Sequence, residues 1–419
     1  MAALTPRGPV AVVGAGVKTP SGNRVDDLWD ELCAGRSSVE VFQDDRLPGG
    51  ADMLVGKVTG FDPGEYLSTV EVRRLDRSHA LALAAASDAL DQYAYPLPPP
   101  HRRAVVCGVG LGPATTYEEQ VSRLVTGGAR AMNPLAVPIV MPSSVSAQLS
   151  IRFGFEGPCV TVSAACASGA AAIGEGVELL RRDAADLVLA GGVDSLVSYG
   201  AMCAFLRLDV MSRNVQCPEL ASRPFDAARD GFVMAEGAGF VVLQRLDDAV
   251  AAGQVPLGLV VGHASTADAY HLVAPRPDGA GALRCMRVAL SDAQVTAAQI
   301  THVNAHGTST MLNDLAEASA LTALFGASTP PVTAVKGSTG HMMGGSGAVE
   351  AIVTLESLRR GLVPPVAGLC NRDPAITIDA VQGEPRAAPS GHALSNSFGF
   401  GGVNTSLVLA SWPAQPSGS

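Results

Sequence analysis

The sequence predicts an α/β protein whose buried sheets are covered by helices. Two observations carry this. Short Val-rich apolar runs alternate along the chain with longer Ala/Leu-rich helical stretches. Hydrophobic residues make up 47% of the 419 residues and charged residues only 16%, enough apolar material for sheets buried on both faces.

In chain order, strands are expected over residues 10–13, 104–107, 159–162, 187–190, 240–243, 257–261, 302–304 and 406–409. Helices are expected over 75–92, 168–182, 282–291, 315–325 and 347–360. One pattern occurs twice. TVSAACASGAAAIGEGVELLRR ends at Arg182 and AVKGSTGHMMGGSGAVEAIVTLESLRR ends at Arg360. Each passes from a β-like run through small residues into a helix that closes on two arginines. A duplicated fold explains this, with halves 1–255 and 256–419. So does the general likeness of strand–turn–helix units, and the repeat alone does not separate the two.

Composition excludes several classes. The formal charge is −10 with no basic run, against general nucleic-acid binding. No apolar stretch reaches about 18 residues, so no segment is expected to span a membrane. The opening MAALTPRGPV lacks the cationic and apolar regions of a signal peptide. Eight cysteines without a CxxC pair favour neither a disulfide framework nor zinc, and point to the cytoplasm.

Cys166 is the first candidate for chemistry. It follows a strand and opens a helix among Ala164, Ala165, Ala167, Ser168 and Gly169. The helix dipole and free N–H groups there are expected to lower the thiol pKa from about 8.5. His306 and His341 each sit in Gly/Ser/Thr-rich turns, where neutral imidazoles can donate to an enolate or carboxylate oxygen. Lys336 is one of only three lysines; Glu350, fourteen residues on, can pair with it. Gly14 and Gly16 follow a strand but lack the third glycine of a dinucleotide fingerprint, and Gly108, Gly110 and Gly112 complete no phosphate loop. Phe398 and Phe400 alternate with glycines in SFGFGG, a loop suited to hinge and to block an apolar tunnel.

Taken together, VSAACASG, VNAHGTST, KGSTGHMMGGSG and NSFGFGGVN resemble, in order and spacing, the elongating β-ketoacyl-acyl-carrier-protein synthases of fatty-acid and type II polyketide systems. RPFDAARDGFVMAEGAG and TADAYHLVAPRPDGAG support the resemblance, which covers residues 9 to about 409. It implies a thiolase fold: two duplicated α/β halves layered α-β-α-β-α, usually dimeric. It implies Cys166 as nucleophile, His306 and His341 as catalytic histidines, and Lys336 with Glu350 as organisers. Phe400 would gate, its N–H and that of Cys166 forming the oxyanion hole. Thr308 and Thr310 would contact phosphopantetheine, Phe205 and Phe398 the substrate, and the Asp268 loop would move with Phe400. Arg73, Arg74 and Arg207 would dock the carrier protein.

The implied reaction is ping-pong: acyl transfer to Cys166, then decarboxylative condensation with malonyl-carrier to give a β-ketoacyl product. No cofactor, metal or nucleotide is implied; substrates ride on carrier-bound phosphopantetheine. The partners implied are acyl carrier protein and either a second copy or a chain-length-factor-like subunit. Cys166 and both histidines disfavour a silent chain-length factor. An enzyme that loads Cys166 and then cyclises or transfers the chain remains the alternative. The sequence departs from the usual motif at Val335, Gly337 and Asp209, and at Gly344–Gly347, where GGSG replaces Gly-Ala-Ala-Gly.

Overall fold

The computed structural model describes residues 8–43, 52–326 and 328–413. The first seven residues, where no signal pattern is read, lie outside them. Ten strands make the principal sheet: β1 (Val10–Lys18), β2 (Arg103–Gly108), β3 (Cys159–Val162), β4 (Leu187–Asp194), β5 (Gly237–Arg245), β6 (Gly258–Ala267), β7 (Ile300–Asn304), β8 (Val332–Thr333), β9 (His392–Gly399) and β10 (Val403–Ala410). The helices that matter for the site are α1 (Arg77–Leu90), α2 (Ala114–Gly127), α3 (Ser168–Arg181), α4 (Tyr199–Arg207), α5 (Ala280–Ala293), α6 (Met311–Phe325) and α7 (Ser346–Arg360).

The sheet order is β8-β7-β9-β10-β6-β1-β5-β4-β2-β3. Each half contributes five strands in the same plan. β2 pairs in parallel with β3 and β4, β4 antiparallel with β5, and β5 antiparallel with β1. Likewise β7 pairs in parallel with β8 and β9, β9 antiparallel with β10, and β10 antiparallel with β6. Identical order and direction separate duplication from chance likeness: the halves repeat one topology. They join where Val10, Ala11 and Val12 face Val260, Leu259 and Gly258.

Three cores define the layers. Alternate β1 residues face opposite ways, as the two-residue period of a strand requires. Val10 and Val12 enter a central core with α3 and α7, whereas Ala11 and Val13 enter an outer core with α1. A register shift between Val12 and Gly14 returns Ala15 and Val17 to the central core. A third core lies under α5 and α6 on the other outer face. The result is the expected α-β-α-β-α stack.

The repeated small residues let α3 and α7 touch. A Cβ at Gly169 would meet the Gly344 carbonyl oxygen at 2.6 Å, and one at Gly347 would meet the Ala170 nitrogen at 2.8 Å. Gly14 and Gly16 lie within β1 rather than after it. A Cβ there would meet the carbonyl oxygens of Ala89 and Ala85 at 2.2 and 2.1 Å, so they admit α1 against the strand and make no nucleotide turn. β9 is not among the expected strands, and its last three residues, 397–399, fall in the expected SFGFGG loop. Its sequence HALSNSFG lacks β-branched residues, and its buried Ser395, Asn396 and Ser397 hide the apolar signal.

Candidate active site

Cys166 occupies a single 3-10 turn, Ala165–Ala167, between β3 and α3. Ala165 has φ +50°, a left-handed conformation that costs a non-glycine residue energy and so must be held by its surroundings. The Ser168 hydroxyl accepts the Ala164 N–H at 2.9 Å and lies 2.6 Å from the Ala165 carbonyl oxygen. The sulfur is buried, 4.0 Å from the Met343 sulfur. Burial pushes the thiol up to about 11, against the pull of the Lys336 ammonium and the N–H groups of Phe400 and Cys166. This corrects the expected lowering: the N–H groups pull the thiol down as anticipated, but desolvation outweighs them.

His306 lies just beyond β7. Its N–H and that of Gly307 each donate to the Glu317 carboxylate at 2.9 Å. Burial pushes Glu317 up to about 7. The Lys336 ammonium donates to the His306 carbonyl at 2.6 Å, stands 3.2 Å from its Nδ1, and pairs with Glu350. Both partners of that ion pair are buried. An ammonium has only donors, so His306 Nδ1 is the acceptor and its proton sits on Nε2.

His341 lies between a short helix, Lys336–Thr339, and α7. The Met343 N–H donates to its Nδ1 at 3.2 Å, which again leaves the proton on Nε2. Among the described residues that Nε2 has no partner. Burial first, and Lys336 second, hold both imidazoles well below the usual histidine range. The rings are perpendicular with centroids 5.5 Å apart. Two neutral imidazoles therefore present Nε2–H groups side by side.

These groups open on a cavity of about 560 Å³. Cys166, His306 and His341 line it, with Thr308, Thr310 and Asp268. Phe205, Phe398 and Phe400 line it too. Thr308 and Thr310 hydroxyls lie 2.8 Å apart. Behind Cys166 lies a buried cluster of Met53, Met202, Met211, Met234 and Met343, of which Met343 reaches the cavity lining. Phe398 is not a loop residue. It is buried on β9 with its ring 5.8 Å from His306, leaving Phe400 as the half-buried aromatic of the Phe400–Gly402 turn. Phe400 stacks on Phe205 at 6.4 Å. The Asp268 N–H donates to the Gly402 carbonyl at 2.8 Å and the Gly401 N–H to the Leu272 carbonyl at 2.7 Å, which ties the two loops together. Lys336 and Glu350 stand behind the histidines. Arg73, Arg74 and Arg207 are exposed and lie outside the cavity lining.

Residues 7–249 match the Beta-ketoacyl synthase N-terminal domain and residues 257–369 the C-terminal domain. The chain belongs to the β-ketoacyl synthase family. Among similar proteins of that family, 3-oxoacyl-[acyl-carrier-protein] synthase 2 of Synechocystis sp. is 36% identical over 404 residues, 96% of this chain and 97% of the relative. A type II polyketide ketosynthase solved with its acyl-carrier protein and bound to the hexaketide is 27% identical with TM-score 0.90, covering 97% of this chain and all of that one. The ishigamide ketosynthase/chain length factor structure is 30% identical with TM-score 0.89, at the same coverage.

Two carboxylates of this β-ketoacyl synthase escaped the sequence reading. Besides Glu317, Asp194 ends β4 and accepts N–H groups from Gly110, Leu111, Gly112 and Gly344. Burial pushes it up to about 6. It holds the Gly110–Gly112 loop, in which no phosphate pattern was found, against the turn carrying His341. Nothing local in GGVDSL marks this role, because the partners come from distant segments.

Proposed function

We propose that the protein is a 3-oxoacyl-acyl-carrier-protein synthase working by acyl transfer to Cys166 followed by decarboxylative condensation. The observation that carries it is the pair of neutral imidazoles, each with Nδ1 committed as acceptor and Nε2–H free beside a buried thiol. In the first half-reaction Cys166 sulfur attacks the carrier thioester. The N–H groups of Cys166 and Phe400 receive the carbonyl oxygen, and the thiol proton leaves with the departing phosphopantetheine sulfur. In the second, the malonyl thioester oxygen lies between His306 and His341. The bond to its carboxylate breaks, carbon dioxide departs, and the electron pair enters the enolate. The enolate carbon then attacks the Cys166 thioester and the C–S bond breaks, freeing the sulfur. Lys336 and Glu350 hold His306 in place, and Thr308 and Thr310 contact the phosphopantetheine arm. The side of the cavity lined by Leu196, Phe205 and Met343 receives the acyl chain, and the flexible thioethers packed behind it yield to chains of different shape.

Acyl carrier protein is the partner for both substrates, with Arg73, Arg74 and Arg207 on the docking face. A second copy or a chain-length-factor-like subunit covers the face around β3 and α2, where Tyr117, Val125, Val137 and Ile151 are 62–79% exposed. Among the described residues no helix is long and apolar enough to cross a membrane. All eight cysteines are unpaired, which supports a reducing cytoplasm.

Incubation with acyl-carrier and malonyl-carrier proteins, read by intact mass, tests the reading. A thioester adduct mapping to Cys166 and a β-ketoacyl-carrier product are expected, with the product absent in Cys166→Gln. Product formation by that variant at the wild-type rate would exclude the covalent route.

A further inference from the structure

The His341 ring has a second neighbour on its Nδ1 side. The Ser346 hydroxyl, on the first residue of α7, lies 3.0 Å from Nδ1, fully buried. Because the Met343 N–H already points at Nδ1 from 3.2 Å, that nitrogen is bare and the hydroxyl is the donor. Ser346 stands within the GGSG segment, at a position where the more usual motif has alanine.

We propose that Ser346 is a positioning residue for His341, its O–H joining the Met343 N–H to fix the ring with Nε2–H toward the cavity. This rests on the synthase reading for its catalytic consequence, but not for the hydrogen bond itself. Three features support it. First, the Met343 bond is long, and Met343 has φ +46°, so the backbone donor sits in a turn that is itself conformationally costly. One such bond leaves a buried ring free to tilt. Second, the two donors come from different elements. Met343 belongs to the 3-10 turn Met343–Gly345, whereas Ser346 begins a buried helix packed on α3. The hydroxyl thus references the imidazole to the central layer that also carries Cys166. Third, His306 receives comparable support from a side chain, the Lys336 ammonium on Nδ1. Each histidine then has one side-chain donor that fixes its tautomer, a cation for His306 and a neutral hydroxyl for His341. A neutral donor adds no further charge beside Cys166.

The step affected is the one in which negative charge develops on the malonyl thioester oxygen. Acyl transfer to Cys166 uses the N–H groups of Cys166 and Phe400 and does not call on His341 Nε2.

Ser346→Ala removes one oxygen and introduces no clash, so folding is retained. Loss of one hydrogen bond to the ring is expected to slow malonyl-carrier decarboxylation about tenfold, with KM unchanged and single-turnover acylation of Cys166 at the wild-type rate. Imidazole nitrogen NMR of histidine-labelled protein, with the His341 signal assigned by His341→Gln, reads the tautomer directly. Wild type should show a bare Nδ1 and a protonated Nε2; Ser346→Ala should show a shifted, broadened Nδ1 signal. A protonated Nδ1 in wild type, an unchanged His341 spectrum in the variant, or wild-type decarboxylation by the variant would each overturn the proposal. So would an equal loss in both half-reactions with a lowered melting temperature, which marks a packing role. If the wild-type protein neither loads nor decarboxylates, the synthase reading fails, while the nitrogen spectrum still decides the hydrogen bond.

Discussion

The Lys336 ammonium touches His306 twice, at the carbonyl oxygen from 2.6 Å and at Nδ1 from 3.2 Å. One group thereby fixes both the backbone and the ring of the same residue. It also lies in a buried ion pair with Glu350, so the placement of His306 is anchored in α7.

Replacing Lys336 should reveal both roles. Lys336→Met leaves Glu350 buried without its cation, and breaking such a pair typically costs about 3–5 kcal/mol. Urea denaturation should register that loss, and residual decarboxylation should fall with it. Lys336→Met, Glu350→Leu together should recover stability but not activity, since no donor then meets His306 Nδ1. Recovery of both would remove Lys336 from the chemistry.

Cys166 should rest as a neutral thiol and react only through its small thiolate fraction. With Cys166 raised to about 11 by burial, its thiolate fraction climbs throughout the alkaline range. Iodoacetamide labelling of Cys166, followed by peptide mapping, should therefore rise about tenfold per pH unit between about pH 7 and pH 9, without a plateau. A plateau below about pH 8 would mean that the helix dipole and N–H groups overcome desolvation after all.

Phe400→Ala should divide the two half-reactions. The ring rests on Phe205, and its loss lets the Gly401–Gly402 turn shift, both residues having φ above +70°. Misplacing one oxyanion donor costs about 3 kcal/mol, roughly a hundredfold in rate. Loading of Cys166, which uses that donor, should drop by that order, while malonyl-carrier decarboxylation, which uses His306 and His341, drops less. Wild-type values for both would make Phe400 a core aromatic only.

Restoring the more usual residue at Gly345 should harm this chain. A Cβ there would meet the Gly237 carbonyl oxygen at 2.4 Å, a backbone atom that cannot swing aside. Gly345→Ala should lower the melting temperature and slow condensation. A variant as stable as wild type would show that β5 and the His341 turn can separate at no cost.

Much of this fold was visible in the sequence because seven of the ten sheet strands carry apolar runs that contain Val, and an eighth, β7, carries one Val among polar residues. β8 is two residues long, and β9 hides behind buried serines and an asparagine whose partners, such as Ser406 on β10, come from another strand. Seven of the nine expected site residues that line the cavity were legible in four small-residue turns, and Phe205 and Asp268 come from other segments. Asp194 and Glu317 were not, because an acceptor of backbone N–H groups needs no local pattern of its own. Nor was the protonation state of Cys166: burial is a property of the assembled layers, whereas a helix dipole acts within its own turn.

Cys166 precedes α3 as His341 precedes α7, and α3 and α7 occupy corresponding places in the two five-stranded units. Equivalent stations thus hold different tools: one a buried thiol, the other a proton-bearing ring. Neither unit can assemble a working pocket from its own residues, although each has a complete sheet. The division of labour makes catalysis a report on how well the units are seated against each other. A slip of one ångström across the Gly169–Gly344 contact would be read first as lost turnover, before any strand is lost.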